Sequence, residues 1–162
     1  MLFSLVIPLY NEENNITHVV TDIYKSVMAG TQFNFEIVLV KNSLSGPCEA
    51  IKKGLSYGKS DCVIVYPADD FLNINIIDRM YFSFTKNNDI VVASRFMKGG
   101  SMRGCPLIKS ILVRVASTSL YILSSIPVRD ASNGFRLFSR RLLNSIYIES
   151  KVGIAYSLEL LA

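Results

Sequence analysis

A chain of 162 residues, of which 50% are hydrophobic and 19% charged, is long enough to bury a core and too apolar for a disordered tail. Its three cysteines include no Cys-x-x-Cys pair, which argues against a disulfide framework or zinc site and favours a reducing compartment. The net charge of +4 is unevenly divided, since residues 95–141 contain nine Lys and Arg but only one acidic residue, Asp130. Such a basic block predicts an anionic partner: phosphates, an acidic membrane surface or nucleic acid.

Strands and helices are predicted to alternate along the first part of the chain. Apolar, β-prone runs predict buried strands over residues 2–9, 35–40, 62–66 and 89–94. Apolar residues at spacings of three and four predict intervening helices, from an N-cap at Asn11 to Gly30, over residues 48–57, and over residues 74–84. The only histidine, His18, falls on the polar side of the first helix. This order predicts a doubly wound, mostly parallel α/β sheet with helices on both faces.

The segment CVIVYPADD, residues 62–70, runs from a buried strand directly into two adjacent carboxylates. Pro67 lacks a backbone N–H and ends the strand, so Asp69 and Asp70 are expected just beyond its carboxyl end. Ligands bind at that edge in open α/β sheets, and two carboxylates suit a hard cation such as Mg²⁺. The simpler interpretation is that one of these residues caps a turn or the following helix.

The last third of the chain has a different character. A glycine-rich segment, residues 98–105, predicts a mobile loop that is a candidate lid. A helix over residues 106–124 carries Lys109 and Arg114 beside an apolar stripe, and these charges make the region a poor membrane span. The stripe comprises Ile108, Ile111, Leu112, Val115 and Ile122. A turn before a short strand near residue 136 follows, and a final helix over 156–162 is expected to lack a C-cap. The chain opens on a strand-like segment, so no secretory signal is predicted.

Four motifs in this order resemble the family 2 glycosyltransferases. VIPLYNEENNI at residues 6–16 is similar to the family's opening, and GPCEAIKKGLSYGKSDCVIVYPADD at 46–70 to its helix, strand and metal motif. ASRF at 93–96 and RDASNGFRLFSRRLL at 129–143 are more similar to the dolichyl- and polyprenyl-phosphate sugar transferases. The resemblance covers nearly the whole chain. It implies the Rossmann-like GT-A fold in a single catalytic domain, residues 1–162, with a nucleotide-sugar-binding half (1–94) and a C-terminally truncated half (95–162) for the acceptor and its phosphate.

The resemblance also implies roles for individual residues. Those expected to lie against the nucleotide are Pro8, Tyr10, Glu12 and Val40. Asp69 matches the second Asp of the family's DxD metal motif, and Pro67 occupies the position of the first. Asp70 is therefore expected to compensate in holding Mg²⁺ or Mn²⁺, and the family's usual two-Asp metal site is not intact.

Basic residues are implied at the phosphates. Arg95 and Arg136 match positions that the family places at the donor diphosphate and the acceptor phosphate, and together with Asp69 they form the implied catalytic set. Lys109 and Arg114 match the family's basic helix near the lipid phosphate.

The implied reaction is an inverting transfer from a UDP- or GDP-sugar to a polyprenyl or dolichyl phosphate. A phosphate monoester, whose second pKa is about 6, is largely dianionic near neutral pH, so a general base is hardly needed. The catalytic domain of a longer, membrane-associated protein is expected at the cytoplasmic membrane face.

A degenerate nucleotide-sugar-binding module is the alternative function, because Pro67 replaces a metal ligand. An RNA-binding protein is a weaker one, because aromatic platform motifs are absent, and no nucleic-acid partner is expected.

One segment departs from the family pattern. Val40 is followed by KNSLSG instead of an acidic, glycine-bearing turn. A helix and a strand that the family places next are also missing, on the order of 25 residues. We therefore predict that these residues are absent between Val40 and Asn42.

Overall fold

The computed structural model describes residues 2–9, 16–30, 34–41, 46–67, 73–100, 102, 105–123, 126, 128–150 and 155–161. Within these residues the strands are β1 (Leu2–Leu9), β2 (Asn34–Lys41), β3 (Cys62–Val65), β4 (Ile90–Val92) and β5 (Arg136–Ser139). The helices are α1 (Ile16–Gly30), α2 (Gly46–Tyr57), α3 (Ile77–Phe84), α4 (Leu107–Leu123), α5 (Arg140–Ser145) and α6 (Ala155–Glu159). A single 3₁₀ turn, Ile74–Ile76, precedes α3.

The strands form one mixed sheet in the order β2-β1-β3-β5-β4. β1 is parallel to β2 and β3, whereas β5 is antiparallel to both of its neighbours, β3 and β4. Among the described strands, β5 alone therefore runs in the reverse direction. The predicted doubly wound, mostly parallel sheet is confirmed, and the insertion of a reversed strand between β3 and β4 is a feature that sequence periodicity did not predict.

Side chains along the buried strands point alternately to the two faces of the sheet. Both faces therefore carry apolar side chains, and helices cover both. On one face, Phe3, Leu5 and Ile7 of β1 pack in a cluster with residues of α1 and α3. On the other face, Val6 packs with residues of α2 and α6. The α2 helix lies very close to the sheet at Gly54, where an added Cβ would be 2.2 Å from Cγ1 of Val6.

Pro8 lies in a strand that has neighbours on both sides, yet it breaks little pairing. The ladder between β1 and β3 covers Phe3 to Val6 and stops before Pro8, which pairs only with Val40 of β2. The missing N–H of Pro8 therefore falls at the end of β1 with a single neighbouring strand, where proline is tolerated.

β2 continues without interruption through Val40 to Lys41, which pairs with Leu9. The next residue, Asn42, lies outside the described residues, so the predicted absence of a segment between Val40 and Asn42 stays a prediction.

The α4 helix packs against the rest of the molecule through a narrow stripe. All of its residues are described, and Ser117 is the only one that is buried. Leu120 packs against a small cluster of Ile126, Ala131 and Leu161. The predicted apolar stripe points away from this contact, and Leu112, for example, is 64% exposed. In the described part of the chain, no helix has the length and hydropathy needed to cross a membrane.

Two smaller expectations have different outcomes. The final helix was expected to continue uncapped to residue 162, but α6 ends at Glu159 and Leu160–Leu161 form a turn. In the predicted lid, only residues 98–100, 102 and 105 are described, and Gly99 has a φ of +88°, which favours glycine. Movement of this loop stays a prediction.

Candidate active site

Five strand ends meet at one edge of the sheet, which we call the carboxyl edge. β1, β2, β3 and β4 end there, and β5 begins there because it runs in the reverse direction. Arg95 follows β4, and the turn that contains Asp130 precedes β5. The antiparallel β5 therefore brings the RDASNGFR motif to the edge where α/β sheets bind ligands.

The predicted metal ligands, Asp69 and Asp70, lie outside the described residues, as do Tyr10 and Glu12. The described chain reaches Pro67, after a buried Tyr66 whose ring meets that of Phe135 edge-on at 4.9 Å between centroids. No group of three or more His, Cys, Asp or Glu residues that could hold a metal exists among the described residues.

Two of the predicted nucleotide contacts are neighbours at the carboxyl edge. Pro8 is half-buried and pairs in register with Val40. The side chain of Val40 is 7% exposed, and its Cγ2 lies 2.9 Å from the position of a Cβ added at Gly54. Val40 thus packs beneath α2, and its contact with a nucleotide stays a prediction.

Arg95 is held in place by the buried carboxylate of Asp130. The Nε and backbone N–H groups of Arg95 both donate to Oδ2 of Asp130 at 2.9 Å, and Nη2 donates to Oδ1 at 2.7 Å. Nη2 also donates to the Ser132 hydroxyl at 2.7 Å. Asp130 is fully buried, whereas the Arg95 side chain remains 28% exposed. This two-pronged geometry fixes the plane of the guanidinium.

The ionisation of this pair follows from its contacts. Burial acts to raise the pKa of Asp130, but the hydrogen bonds and charge of Arg95 outweigh burial and lower it. The hydrogen bonds to Asp130 in turn raise the pKa of Arg95. Both groups are therefore charged near neutral pH, and Asp130 is poorly suited to act as a proton acceptor.

Arg136, the second basic residue of the implied catalytic set, is 1% exposed. Its Nε donates to the carbonyl oxygen of Asn133 at 2.7 Å, and its Nη2 donates to that of Ala131. Burial lowers the pKa of Arg136 to about 10, which leaves the guanidinium charged at neutral pH. The side chain thus braces the turn before β5. Its contact with a substrate phosphate stays a prediction.

Arg95 and Arg114 meet at the ring of Phe96. Their guanidinium carbons lie 5.6 Å and 5.3 Å from the ring centroid, within the range of cation–π attraction. Arg114 belongs to α4, so this contact joins the carboxyl edge to the exposed apolar helix. Lys109, which is also exposed, lies on the same helix.

Sequence reasoning missed Asp130 and Ser132 as members of the site. The signal for Asp130 was present, because it is the only acidic residue in the basic block of residues 95–141. A lone carboxylate among nine cations is expected to pair with one of them, but the sequence does not say with which. That choice depends on the position of β5 beside β4.

The sequence model of the family described as "Glycosyl transferase family 2" matches residues 41–147. The curated relatives include a dolichol-phosphate mannosyltransferase of Pyrococcus furiosus, 21% identical over 188 positions that cover 99% of this chain and 52% of that protein. An uncharacterized glycosyltransferase of Synechocystis sp., sll0501, is 24% identical over 169 positions covering 88% of this chain and 52% of the relative. The chain therefore spans about half the length of these relatives.

Solved structures show the same fold. A crystal structure of S. aureus TarS 1–349 aligns with a TM-score of 0.59 at 19% identity, covering 99% of this chain and 54% of that one. TarS 1–349 in complex with UDP gives a TM-score of 0.61 at 20% identity with the same coverage. These alignments support the Rossmann-like GT-A glycosyltransferase fold. Because the family model covers more than half of the chain, the protein belongs to glycosyl transferase family 2.

Proposed function

We propose that this chain is the catalytic domain of an inverting glycosyltransferase that moves a sugar from a UDP- or GDP-sugar to a polyprenyl or dolichyl phosphate. The observation that supports this most is the junction of Arg95 and Arg114 at Phe96, beside an exposed apolar helix. A lipid phosphate needs cations for its head group and an apolar surface for its chain. A nucleotide sugar alone would need no such helix.

The names of similar proteins agree with both halves of this proposal. The Pyrococcus furiosus relative is named a dolichol-phosphate mannosyltransferase, which supports a lipid phosphate as acceptor. The TarS structure is of a complex with UDP, which supports a nucleoside diphosphate as part of the donor.

Catalysis would depend on neutralising charge, because the acceptor and the leaving diphosphate are both anions. The acceptor phosphate already carries its negative charge near neutral pH, so no side chain has to remove a proton. Arg95 would stabilise negative phosphate oxygens with a guanidinium that is already oriented, which avoids reorganisation during the reaction.

Asp69 and Asp70 would hold a divalent cation, Mg²⁺ or Mn²⁺, whose bound form would polarise phosphate oxygens. Hard carboxylate oxygens suit these ions. β3 ends at Val65 at the carboxyl edge, and the described chain continues through the buried Tyr66 to Pro67, two positions before Asp69 in the sequence.

The outward face of α4 would lie on the cytoplasmic surface of the membrane. Leu107, Ile108, Leu112, Ile122 and Leu123 are each more than 60% exposed, and α4 carries the cations Lys109 and Arg114 but no acidic residue. A helix with apolar and basic residues and no acidic ones is suited to the boundary of an anionic bilayer.

The membrane proposal is tested with phosphatidylcholine vesicles containing phosphatidylglycerol. The double variant Ile111→Ser and Leu112→Ser should bind about 100-fold more weakly, because each exposed side chain would lose about 1.4 kcal/mol of apolar burial. Phe82→Ser on α3 is the matched control, since Phe82 is 63% exposed on a different helix. Equal losses for the control and the double variant would contradict a specific role for α4.

The transfer reaction is tested with a panel of UDP- and GDP-sugars, Mn²⁺ and a polyprenyl phosphate, scored for sugar-lipid product. The degenerate binding module is the second candidate, because Pro67 occupies the position of a metal ligand. Titration of UDP and GDP with and without Mn²⁺ separates the two, since a degenerate site should bind weakly and show no metal linkage. Absence of product from every pair would contradict the transferase.

A further inference from the structure

The turn that carries Asp130 is fastened at two further points. The side-chain amide of Asn133 donates to the carbonyl oxygen of Ala93, just after β4, and its oxygen accepts from the Phe135 N–H at 3.2 Å. Arg136 donates to the carbonyl groups of Ala131 and Asn133. The turn, residues 130–133, is therefore tied both to β4 and to β5. Its position relative to Arg95 is set by one buried contact, from Arg136 to Ala131, and by three that are partly buried.

The orientation of Arg95 is set by this turn, through Asp130. Both carboxylate oxygens of Asp130 accept hydrogen bonds from Arg95, one of them also from the backbone N–H. The remaining guanidinium nitrogen, Nη1, makes no hydrogen bond to a described residue. With its side chain 28% exposed, Arg95 retains one donor edge that an anionic oxygen could reach.

We propose that Asp130 and Arg136 are positioning residues for anion recognition: Arg136 braces the 130–133 turn, and Asp130 holds Arg95 so that its Nη1 edge receives a phosphate oxygen. This inference rests on the proposed function and deepens it. Arg136 is 1% exposed and Asp130 is fully buried, so each acts through another group. Arg95 is the member of the chain of contacts that touches the ligand.

The first test is a double-mutant cycle with Arg95→Ala and Asp130→Asn. Two quantities are measured: kcat/KM for sugar transfer and the affinity for inorganic pyrophosphate by calorimetry. Asp130→Asn should lower both by about 10- to 100-fold, the scale of a misplaced contact group. In the Arg95→Ala background it should cause almost no further loss, because Asp130 acts only through Arg95. Losses that multiply would overturn the proposal and would assign Asp130 an independent role.

The pH profile separates positioning from proton transfer. If Asp130 only orients Arg95, Asp130→Asn should scale kcat/KM down by one factor at every pH. If Asp130 accepted a proton from the acceptor, the variant would lose the acidic limb of the profile, which would overturn the proposal.

Arg136→Lys tests the brace. Lysine keeps the positive charge but cannot donate from a planar fork to two carbonyl groups at once. The readout is the Nε–H resonance of Arg95 in NMR spectra of the free protein, since this proton is donated to Asp130. We expect faster solvent exchange at Arg95 in the variant. An unchanged Arg95 resonance together with reduced pyrophosphate binding would indicate that Arg136 contacts the anion directly, and would overturn its role as a brace.

Two further variants keep the test decisive. Ser132→Ala removes the hydroxyl that accepts from Nη2 of Arg95 and donates to Oδ1 of Asp130 at 3.3 Å, but it keeps the Arg95–Asp130 ion pair, so it serves if Asp130→Asn does not fold. It should lower pyrophosphate affinity several-fold in the wild-type background and not at all in Arg95→Ala. Asp89→Asn is the matched control, because Asp89 also pairs with an arginine, Arg141, but at the other end of β4. It should leave pyrophosphate binding unchanged.

Failure of the proposed function is distinguishable from failure of this inference. A wild-type protein that makes no sugar-lipid product contradicts the transferase. The positioning roles are then decided by the pyrophosphate cycle and the Arg95 resonance, neither of which requires turnover.

Discussion

Two Asp–Arg pairs, one near each end of β4, share the same chemistry but have different surroundings. At the carboxyl edge, Arg95 pairs with a fully buried Asp130 at 2.7 Å. At the opposite edge, Arg141 pairs with Asp89 at 2.8 Å, and the two side chains are 65% and 36% exposed. Asp89 also accepts a hydrogen bond from the Ser139 hydroxyl at 2.5 Å, which joins the loop before β4 to the end of β5.

The difference indicates what each pair contributes. An exposed pair is screened by water and ions and adds little stability, so the Asp89 pair mainly fastens a loop. A buried charge pair is costly to desolvate and is often no more stabilising than apolar residues of the same volume. Stability alone therefore gives a weak reason for burying Asp130. A better reason is that the pair presents one guanidinium in a single orientation where a ligand is expected.

The largest expected contrast between the two edges is in activity. Asp69→Ala should reduce sugar transfer by at least about 100-fold and remove metal-dependent binding of the nucleoside diphosphate, because a bound cation would lose a carboxylate ligand. The matched control is Asp61→Ala, since Asp61 is exposed and precedes β3 at the opposite edge. Near-normal turnover of Asp69→Ala would contradict the metal site.

The next contrast is in folding stability. Arg95→Ala should lower the free energy of unfolding by about 3 kcal/mol, because it leaves the carboxylate of Asp130 buried without its partner. Arg141→Ala should change it little, because both members of that pair are partly solvated. Urea denaturation at neutral pH measures both. Similar losses of unfolding free energy in the two variants would contradict the proposed difference between the pairs.

A pH series should sharpen the comparison further. The folded-state pKa of Asp130 is lowered, so its stabilising contribution is present above the ordinary aspartate pKa of about 3.9 and is lost as the pH falls through the lower folded value. The difference in unfolding free energy between wild type and Asp130→Asn should therefore be constant near neutral pH and disappear in acid. A difference that stayed unchanged throughout the acid range in which aspartates become protonated would indicate that packing, not charge, is responsible.

The smallest expected effect is in salt dependence. Hydrogen bonds from Arg141 and Ser139 lower the pKa of Asp89, but its pair with Arg141 is exposed. The small destabilisation caused by Asp89→Asn should therefore shrink further in about 1 M NaCl, where the Debye length is about 3 Å. The effect of Asp130→Asn should hardly change with salt, since the carboxylate is buried. Equal salt responses would contradict the contrast in solvation.

Local pattern was sufficient for most of the secondary structure. The buried run at residues 62–65 and the stripe of Ile77, Met80 and Tyr81 both appear where their periodicity predicts. The α4 helix shows the limit of this reasoning. Its apolar stripe also predicts a helix, but periodicity does not say whether the stripe meets the core or the solvent, and here it is exposed.

The sequence by itself determined the alternation of strands and helices, the family and the basic character of the last third, because these depend on residue type and spacing along the chain. Only the tertiary structure decided that β5 is reversed between β3 and β4, that Asp130 faces Arg95 across 35 positions, and that Arg136 is buried beneath the turn. The physical reason is that strand order and the pairing of distant charges depend on which elements pack side by side. No local pattern of residues specifies that choice.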